Sequence, residues 1–278
     1  MHIIIIAEIG INHGGNIETA KKLIKGAKDA GVDAIKFQKR SIERVYDKDL
    51  LLQPRVSPWG NTQGEQKRGL ELGKVEYDII NAYCKMLDID WFASIWDLES
   101  LEFLKQYNLK YNKVASPLIT HKALMTAIAK QKKYTFISTG MSTYEEIDNV
   151  VNIFREEGCP YELMHCNSVY PMPNRDANLN TIISLERRYN CKVGYSGHSS
   201  GIIDAIGAAA LGVTSIEKHI CLDRTAYGSD MAASLEPNGL RKMVEYIRTI
   251  EEMLGNGIKV VTPTEEEVKK KLRRYQDY

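Results

Sequence analysis

The chain has 278 residues, of which 44% are hydrophobic and 26% charged, and its formal net charge is +1. This composition is ordinary for a globular protein and excludes long disordered or collagen-like stretches. The balanced charge shows no basic excess of the kind that nucleic-acid binding requires, so we expect no nucleic-acid partner. The length suits a parallel α/β barrel, which typically takes about 250 residues as one domain.

The cysteines and the N-terminus indicate where the protein resides. Five cysteines are present, an odd number, and no CxxC pair occurs among them. We interpret them as free thiols of a reducing, cytoplasmic compartment. The apolar N-terminal run, MHIIIIAEIG, has no basic n-region and no cleavage site, and it is too short to cross a bilayer. It therefore predicts a first buried strand, with no membrane partner.

Strands and amphipathic helices alternate along the chain. The first predicted strand covers residues 2–8, a nearly continuous β-branched run that is typical of a strand buried on both faces. Asn16 is a candidate N-cap for the helix that follows, and Gly31 is a candidate stop signal. A second strand is predicted over residues 34–40. Residues 41–74 are then less regular, as in a long functional loop.

The alternation continues to the end of the last predicted helix. Eight strand–helix units predict an α/β protein with a (β/α)8 TIM barrel over residues 1–260. An open doubly wound sheet is the alternative, and the lack of a GxGxxG motif after the first strand counts against it. A charged C-terminal tail is expected over residues 261–278, where the run EEEVKKKLRR predicts a solvated helix.

Polar and ionisable residues stand at the end of every predicted strand. The active sites of (β/α)8 barrels form at the C-terminal ends of the strands. Buried polar groups are costly unless they are paired or bind a ligand. A ring of them therefore predicts a polar site at this face of the barrel. They are Glu8, Asn12, His13, Lys36, Gln38, Ser94, Asp97, Lys113, Ser116, Ser138, Thr139, His165, Asn167, Ser168, Tyr170, Ser196, His198, Glu217 and His219.

Two of these residues, His198 and His219, end consecutive strands. Neighbouring strands lie about 4.8 Å apart, so the two imidazoles are close enough to bind one divalent cation. Imidazole suits Mn, Fe, Co or Zn, and Mg also fits if water and substrate oxygens complete the shell. The alternative is a hydrogen-bonded pair of core histidines, and the spacing alone leaves both open. We interpret His165 as a core histidine.

Two lysines, Lys36 and Lys113, interrupt apolar strands. A buried lysine without a partner is costly or becomes neutral. With the strand-end serines they form a natural cradle for phosphate and carboxylate groups. The alternatives are salt bridges to Glu8 or Glu217, and a Schiff-base lysine of a different enzyme class. The serines in question are Ser116, Ser138, Ser168 and Ser196.

Seven motifs occur in a fixed order, namely AEIGINHGG, IKFQ, KVASP, ISTGMST, HCNSVYP, GYSGHS and IEKHI. Together they resemble the N-acetylneuraminate (sialic acid) synthase family, over residues 4–274. The resemblance implies a transferase with a barrel fold and a divalent metal, typically Mn or Mg. It also implies condensation of phosphoenolpyruvate with N-acetylmannosamine or a related 2-acetamido hexose. The expected products are a nine-carbon 2-keto sugar acid and inorganic phosphate, released by C–O cleavage.

The resemblance implies a role for each matching position. The metal ligands fall on His198 and His219, and the catalytic residues are these two with Glu8 and Lys113. The phosphoenolpyruvate-binding residues fall on Lys36, Lys113, Ser116, Ser138, Ser168 and Ser196. The sugar-binding residues fall on Glu8, Gln38, Asn61, Tyr170 and Asp230, with Asn61 matched through an irregular loop.

Three features depart from the family's pattern. Ile95 stands where members often carry a Thr, and Pro117 and Leu118 replace a Gly-Glu pair that some members have. Members also typically continue into a small antifreeze-like domain that supplies an Arg to the partner subunit's site. That domain is not among these residues, so the chain is either a naturally short member or part of a longer protein. The expected homodimer and the identity of the sugar both stay open for this reason.

Three other functions remain open on the sequence. A Schiff-base aldolase acting on pyruvate would use Lys36 or Lys113. A synthase making a shorter 3-deoxy-2-keto acid from an aldose or its phosphate would use the same histidines, with Arg40 and Arg55 as its basic residues. A non-catalytic sugar-binding barrel would be expected to lose part of the Lys, Ser and His set, which is intact here. Trp59 is either a sugar-stacking platform or the anchor of its loop.

Overall fold

The computed structural model describes residues 2–273 of the chain. Strands alternate with helices from the first strand to the last helix, as the sequence predicts. The strands are β1 (Ile4–Gly10), β2 (Ala34–Lys39), β3 (Pro54–Ser57), β4 (Gly60–Thr62), β5 (Asp90–Ile95), β6 (Tyr111–Val114), β7 (Tyr134–Ser138), β8 (Tyr161–Cys166), β9 (Val193–Gly197) and β10 (Ser215–His219). The helices are α1 (Ile17–Ala30), α2 (Ile42–Val45), α3 (Lys48–Leu52), α4 (Gln63–Leu70), α5 (Lys74–Met86), α6 (Leu98–Leu104), α7 (Lys122–Ala129), α8 (Tyr144–Glu156), α9 (Asn180–Tyr189), α10 (Ile203–Ala210), α11 (Pro237–Leu254) and α12 (Pro263–Leu272).

Eight parallel strands close into a barrel in the order β1-β10-β9-β8-β7-β6-β5-β2. The predicted (β/α)8 TIM barrel is therefore confirmed, and the open doubly wound sheet is excluded. The helices between the barrel strands bury apolar faces, as α1 does with Leu23, Ile24 and Ala27. Burial of such faces against the strands is the main favourable contribution to folding of this architecture.

The register of the barrel strands aligns the polar strand ends. Glu8 on β1 lies opposite His219 on β10 and opposite Lys36 on β2. On the next two strands beyond β2, Ser94 of β5 lies opposite Lys113 of β6. Side chains from different strands therefore meet at one level near the C-terminal mouth of the barrel.

The ends of α1 follow the capping signals in the sequence. Asn16 is the N-cap, and its side chain accepts a hydrogen bond from the backbone N–H of Thr19. Gly31 follows the helix with φ 87°, a left-handed conformation that glycine adopts without steric cost. Strand β1 begins and ends two residues later than predicted, at Ile4 and Gly10.

The segment between β2 and α5 is more ordered than the expected long loop. It contains three short helices and the antiparallel β3–β4 hairpin. Thr62 and Glu65 form a capping box at the start of α4. The indole of Trp59 packs on Gly69 so closely that a β-carbon there would lie 2.1 Å from Cγ of Trp59. This packing agrees with the interpretation of Trp59 as the anchor of its loop.

The end of the described chain carries α12, in which every described residue is exposed or half-buried. The charged run is therefore helical, as expected, up to Leu272, and its last residue lies outside the described residues. Within residues 2–273, none of the helices is long and apolar enough to cross a membrane. All five cysteines are free thiols.

Candidate active site

A cavity of about 230 Å³ opens at the C-terminal ends of the barrel strands. Its position agrees with the rule that barrels of this type carry their sites at this face. Of the thirteen residues to which the resemblance assigns a role, eleven line the cavity. They are Glu8, Lys36, Gln38, Lys113, Ser116, Ser138, Ser168, Tyr170, Ser196, His198 and His219.

The centre of the cavity is a buried ion-pair network around Lys36. Its Nζ lies 3.0 Å from Oε2 of Glu8 and 3.5 Å from Oε1 of Glu217. The same ammonium donates a hydrogen bond to Oγ of Ser94 at 2.9 Å. Breaking a buried ion pair by removing one partner is strongly destabilising, so these charges hold one another in place.

The second buried ammonium, that of Lys113, faces the opposite side of the same carboxylate. Its Nζ lies 3.6 Å from Oε2 of Glu217 and donates a hydrogen bond to the hydroxyl of Ser138. Oε2 of Glu217 is buried and has no hydrogen-bond partner within the described residues. Salt bridges to Glu8 and Glu217, one of the interpretations left open by the sequence, are therefore present. Ammonium groups and polar oxygens therefore lie close together on the cavity wall.

The two carboxylates differ in their pKa because they face different numbers of ammonium groups. Burial raises the pKa of Glu8 to about 7, although Lys36 acts to lower it. Burial acts on Glu217 too, but Lys113 and Lys36 together outweigh it and hold the pKa of Glu217 at about 2. Glu217 is therefore the permanent anion of the network, and Glu8 is the carboxyl that exchanges a proton near neutral pH.

The two lysines also differ in the direction in which their pKa is shifted. Burial alone would lower the pKa of Lys36, but Glu217 and Glu8 outweigh it and raise that pKa above its usual value. For Lys113 burial dominates, and its pKa is lowered. Lys36 is consequently the firmer cation, while Lys113 is more easily neutralised.

Two serine hydroxyls converge on the backbone of Gly140, directly after β7. The N–H of Gly140 donates a hydrogen bond to Oγ of Ser116 at 3.1 Å. A β-carbon at Gly140 would lie 2.4 Å from Oγ of Ser168 and 2.9 Å from Oγ of Ser116. The absence of a side chain at this position thus lets two hydroxyl groups approach the same point of the cavity wall.

The imidazoles of His198 and His219 lie side by side, with ring centroids 5.5 Å apart. Nδ1 of His198 contacts the backbone carbonyl of Asn167, and Nε2 lies 2.9 Å from the hydroxyl of Tyr170. Because a carbonyl only accepts hydrogen bonds, Nδ1 carries the proton and Nε2 presents its lone pair. Nδ1 of His219 is buried, has no hydrogen-bond partner among residues 2–273, and lies 3.7 Å from the carboxylate of Asp230.

The donor set of this histidine pair fits a divalent cation. Burial, followed by the neighbouring His219, lowers the pKa of His198 to about 3. Burial, followed by the charge of Lys36, lowers the pKa of His219 to about 3 as well. Both rings are therefore neutral near pH 7, the form that binds metals. No group of three or more His, Cys, Asp or Glu residues suited to a cation occurs within residues 2–273. The remaining ligands of a cation at this pair would come from substrate or water.

The predicted sugar-binding residues are only partly brought together. Nε2 of Gln38 donates a hydrogen bond to Oε1 of Glu8 at 2.8 Å, and Tyr170 stacks at a tilt on the His198 ring. Asp230 does not line the cavity, but it lies beside His219 as described above. Asn61 lies apart from the others, exposed on the β3–β4 hairpin, where its backbone N–H donates to the Glu65 carboxylate. Sugar binding by Asn61 stays a prediction.

Six cavity residues had no role in the sequence-based assignment, namely Ser94, Trp96, Ala115, Pro117, Met141 and Glu217. Glu217 and Ser94 were recognised as strand-end residues, and Glu217 as a salt-bridge partner, but Trp96 was not singled out. The sequence does not mark Trp96 as a lining residue, because Trp96 follows the buried Ile95 just past the end of β5. Ile95 is itself a core residue, so its departure from the family's pattern lies outside the cavity. Pro117 does line the cavity.

A larger cleft, of about 680 Å³, lies at the opposite end of the barrel. It is open and is lined by residues that precede the strands, such as Asp33, Asp90 and Lys110. Lys110 is paired with Asp90 at 3.2 Å. Polar residues at the N-terminal end of barrel strands generally serve stability, so the smaller cavity is the better candidate for catalysis.

Comparisons with known proteins indicate the family to which the chain belongs. The profile of the NeuB family matches residues 23–259. N-acetylneuraminate-9-phosphate synthase of Mus musculus is 37% identical over 271 residues, which cover 96% of this chain and 76% of the mouse protein. N,N'-diacetyllegionaminic acid synthase of Campylobacter jejuni is 35% identical over 269 residues, with coverages of 95% and 80%.

A solved structure shows the same likeness over the whole chain. The crystal structure of an N-acetylneuraminic acid (sialic acid) synthetase from Leptospira borgpetersenii superposes with a TM-score of 0.87 at 34% identity. The match covers 99% of this chain and 93% of that chain. The motifs, the barrel and these relatives converge: the chain is an enzyme that belongs to the NeuB family of sialic-acid-type synthases.

Proposed function

We propose that the enzyme condenses phosphoenolpyruvate with the aldehyde form of N-acetylmannosamine or a related 2-acetamido hexose. The products are a nine-carbon 2-keto sugar acid and inorganic phosphate. The observation that carries this proposal is the arrangement of two buried ammonium groups, Lys36 and Lys113, beside a neutral histidine pair in one cavity. Such a cavity matches a substrate with two anionic groups and a second substrate with a carbonyl group.

The ammonium groups and serines are the proposed site for phosphoenolpyruvate. Its carboxylate and phosphate require several donors, and charge-assisted hydrogen bonds are stronger than neutral ones. The Lys113 ammonium already donates to Ser138, and the hydroxyls of Ser116 and Ser168 converge at Gly140. These groups would orient the enol carbon C3 toward the aldehyde. Orientation of two bound reactants can contribute about 7–11 kcal/mol toward lowering a barrier.

His198 and His219 are the residues that would hold a divalent cation, with Mn²⁺ or Mg²⁺ expected. When bound, such a cation supplies Lewis-acid polarisation of the sugar's carbonyl oxygen. The protein contributes the neutral state of both rings and the fixed tautomer of His198, set by its contact with the Asn167 carbonyl. Nδ1 of His219, which has no hydrogen-bond partner in the described part of the chain, supports this role.

Glu8 is the group best placed to move a proton in the proposed reaction. A C–C bond forms between C3 of phosphoenolpyruvate and the aldehyde carbon, and the aldehyde oxygen takes up a proton. Water then adds to C2, and the C2–O bond to phosphate breaks. With a pKa near 7, the Glu8 carboxyl can release or accept a proton at the pH of a cell. Gln38 holds that carboxyl through its 2.8 Å hydrogen bond.

The direct test is phosphate release from phosphoenolpyruvate in the presence of a panel of 2-acetamido hexoses. The purified protein is reconstituted with Mn²⁺ or Mg²⁺ and assayed with and without EDTA. Phosphate release that needs both a sugar and the metal supports the proposal and identifies the preferred sugar. Well-folded protein that releases no phosphate with any sugar contradicts it.

A Schiff-base aldolase is the second candidate because burial lowers the pKa of Lys113. A neutral amine is the form that attacks a carbonyl. Incubation with pyruvate and borohydride, followed by intact mass measurement, separates the two mechanisms. A trapped adduct on Lys113 would support the aldolase, whereas the synthase requires no covalent intermediate. The close pairing of this lysine with Glu217 favours the synthase, since the pair retains the ammonium form.

The cellular setting is also inferred. The five free thiols are in keeping with a cytoplasmic enzyme. Family resemblance leads us to expect a homodimer, which light scattering of the purified protein would test.

A further inference from the structure

A third buried lysine, Lys218, stands between two cavity residues on β10. Its neighbours in sequence, Glu217 and His219, both line the cavity. Because side chains alternate between the two faces of a strand, Lys218 points away from the cavity, toward the helices that surround the barrel. Its side chain is fully buried there. A buried ammonium is costly unless it is paired, so its partners indicate what it does.

The partners of Lys218 belong to the segment that follows His198. Its Nζ donates hydrogen bonds to the backbone carbonyl of Ser199 at 2.8 Å and to the Ser199 hydroxyl at 3.1 Å. The same Nζ lies 3.3 Å from Oδ2 of Asp204, in the first turn of α10. Lys218 therefore connects the strand that carries His219 to the residue directly after His198.

The surroundings of Asp204 show how closely this connection is packed. The hydroxyl of Tyr195, on β9, donates a hydrogen bond to Oδ2 of Asp204 at 3.1 Å. A β-carbon at Gly197 would lie 2.6 Å from that oxygen and 2.8 Å from Cε1 of Tyr195. A glycine at this position thus lets the carboxylate approach the last residues of β9. The ion pair of Lys218 and Asp204 lies directly behind the segment that carries His198.

The other contacts of His198 come from the segment after β8. Its Nδ1 contacts the carbonyl of Asn167, and its own backbone carbonyl accepts the N–H of Met172 at 2.9 Å. These contacts fix His198 relative to β8, but they do not reach β10, which carries His219. The hydrogen bonds from Lys218 to Ser199 do reach across, and they add to the backbone pairing of β9 with β10. Two imidazoles that bind one cation must keep a fixed separation and orientation.

We propose that Lys218 is a positioning residue that holds His198 and His219 in the geometry required by a divalent cation. This inference rests on the proposed function, because it concerns the metal site assigned there. Lys218 acts on His198 through Ser199 and does not itself line the cavity. Residues that support metal ligands from behind contribute about ten- to a hundredfold to metal affinity.

Mn²⁺ titration of the full chain by electron paramagnetic resonance provides the test, with Lys218→Met and with Lys218→Met/Asp204→Asn. The single variant leaves the Asp204 carboxylate buried without its cation and should be less stable in urea. The double variant has no lone charge and keeps an acceptor for the Tyr195 hydroxyl, so it should recover most of that stability. Both variants should bind Mn²⁺ about tenfold more weakly than the parent, because both lack the hydrogen bonds to Ser199.

Tyr134→Phe is the matched control for a loss of stability alone. Tyr134, the first residue of β7, donates a hydrogen bond to the buried carboxylate of Glu162 at 2.7 Å, at the end of the barrel opposite the cavity. Its removal should lower the stability in urea and leave the Kd for Mn²⁺ unchanged.

Nitrogen NMR of the histidine rings in the metal-free protein gives a second readout. In the parent, Nδ1 of His198 carries the proton, so its two ring nitrogens should give well-separated shifts. In the double variant the contact with the Asn167 carbonyl should loosen, and the two shifts should move closer together. Unchanged shifts would contradict a positioning role.

The outcomes separate this inference from the proposed function. Parental Mn²⁺ affinity in the double variant, or equal weakening in Tyr134→Phe, would overturn the inference and leave the proposed function intact. A parent that binds Mn²⁺ more tightly than the double variant but releases no phosphate would support the inference and contradict the synthase. A parent that binds no Mn²⁺ would overturn both the metal role and the inference.

Discussion

The hydroxyl of Tyr170 donates a hydrogen bond to Nε2 of His198 at 2.9 Å, and a cation would need the lone pair of this same nitrogen. The opposite nitrogen of the ring is committed to the carbonyl of Asn167. A cation at the histidine pair therefore competes with Tyr170 for the same lone pair. The tyrosine hydroxyl would turn from His198 to another acceptor, such as a substrate oxygen, when the cation binds.

Replacing Tyr170 with Phe should tighten Mn²⁺ binding in the absence of substrates. The variant removes a competing hydrogen bond worth about 0.5–1.5 kcal/mol, which corresponds to a roughly two- to tenfold change in Kd. Titration of free Mn²⁺ by electron paramagnetic resonance measures this directly. An unchanged Kd would show that the hydroxyl does not compete, and weaker binding would show that Tyr170 instead orients the ring.

Replacing His219 with Ala should weaken Mn²⁺ binding by at least a hundredfold and abolish turnover, because only two protein ligands are expected. His2→Ala is the control, since the exposed His2 lies beside Asp33 at the end of the barrel opposite the cavity. Both variants are titrated with Mn²⁺ and assayed for phosphate release. Full activity of His219→Ala in buffer freed of metal would remove the proposed metal role.

The sequence was sufficient to predict the barrel because its signals are local and repeated. Each strand is a short apolar run followed by an amphipathic helix, and the closed order then follows from eight consecutive parallel strands. The polar strand ends could be predicted to meet because parallel strands end at the same face. Eleven of the assigned residues do line one cavity as a result.

The parts that could not be predicted depend on contacts between distant segments. The β3–β4 hairpin is only nine residues long, from Pro54 to Thr62. It packs against α4 and Tyr227, so its position is not encoded by periodicity. Asn61 was matched through this segment and lies apart from the cavity. Trp96 follows a buried strand without any pattern that marks it as a lining residue.

Replacing Gly140 with Ala should impair the use of phosphoenolpyruvate more than the use of the sugar. The added β-carbon would lie 2.4 Å from Oγ of Ser168 and 2.9 Å from Oγ of Ser116, so both hydroxyls would have to move. We expect KM for phosphoenolpyruvate to rise about tenfold, with KM for the sugar changing less than threefold. Gly201→Ala is the matched control because a β-carbon there meets no atom of the described residues within 4 Å. Equal effects on both substrates would argue against a phosphoenolpyruvate site at these serines.

Replacing Glu217 with Gln should destabilise the barrel strongly. The change leaves the ammonium groups of Lys36 and Lys113 without their shared anion, and losing one partner of a buried ion pair costs about 3–5 kcal/mol. Urea unfolding of the parent and the variant at neutral pH measures the difference. Glu99→Gln removes an exposed partner of Arg44 and should cost less than about 1 kcal/mol. Similar losses in the two variants would show that the Glu217 network is not a stabilising unit.

His13 should make the stability of the fold depend on pH. Burial, followed by the charge of Arg40, lowers the pKa of His13 from 6.5 to about 4 in the folded chain. Between pH 4 and 6.5 the unfolded chain therefore binds a proton that the folded chain does not. The free energy of unfolding must therefore rise with pH across this window. The contribution of His13 to it is fully present above pH 6.5 and is lost as the pH falls toward 4.

The contribution of His13 corresponds to about 3 kcal/mol when its pKa moves from 6.5 to about 4. His13→Asn retains an acceptor for the backbone N–H of Gly15, which donates to Nδ1 at 3.0 Å, but it cannot titrate. Urea unfolding of both proteins at several pH values from 4.5 to 7.5 isolates the effect, because the other histidines are common to both. On acidification the His13→Asn variant should lose less stability than the parent protein, and the difference should be most of the His13 contribution. Parallel curves for the two proteins would mean that folding does not change the pKa of His13.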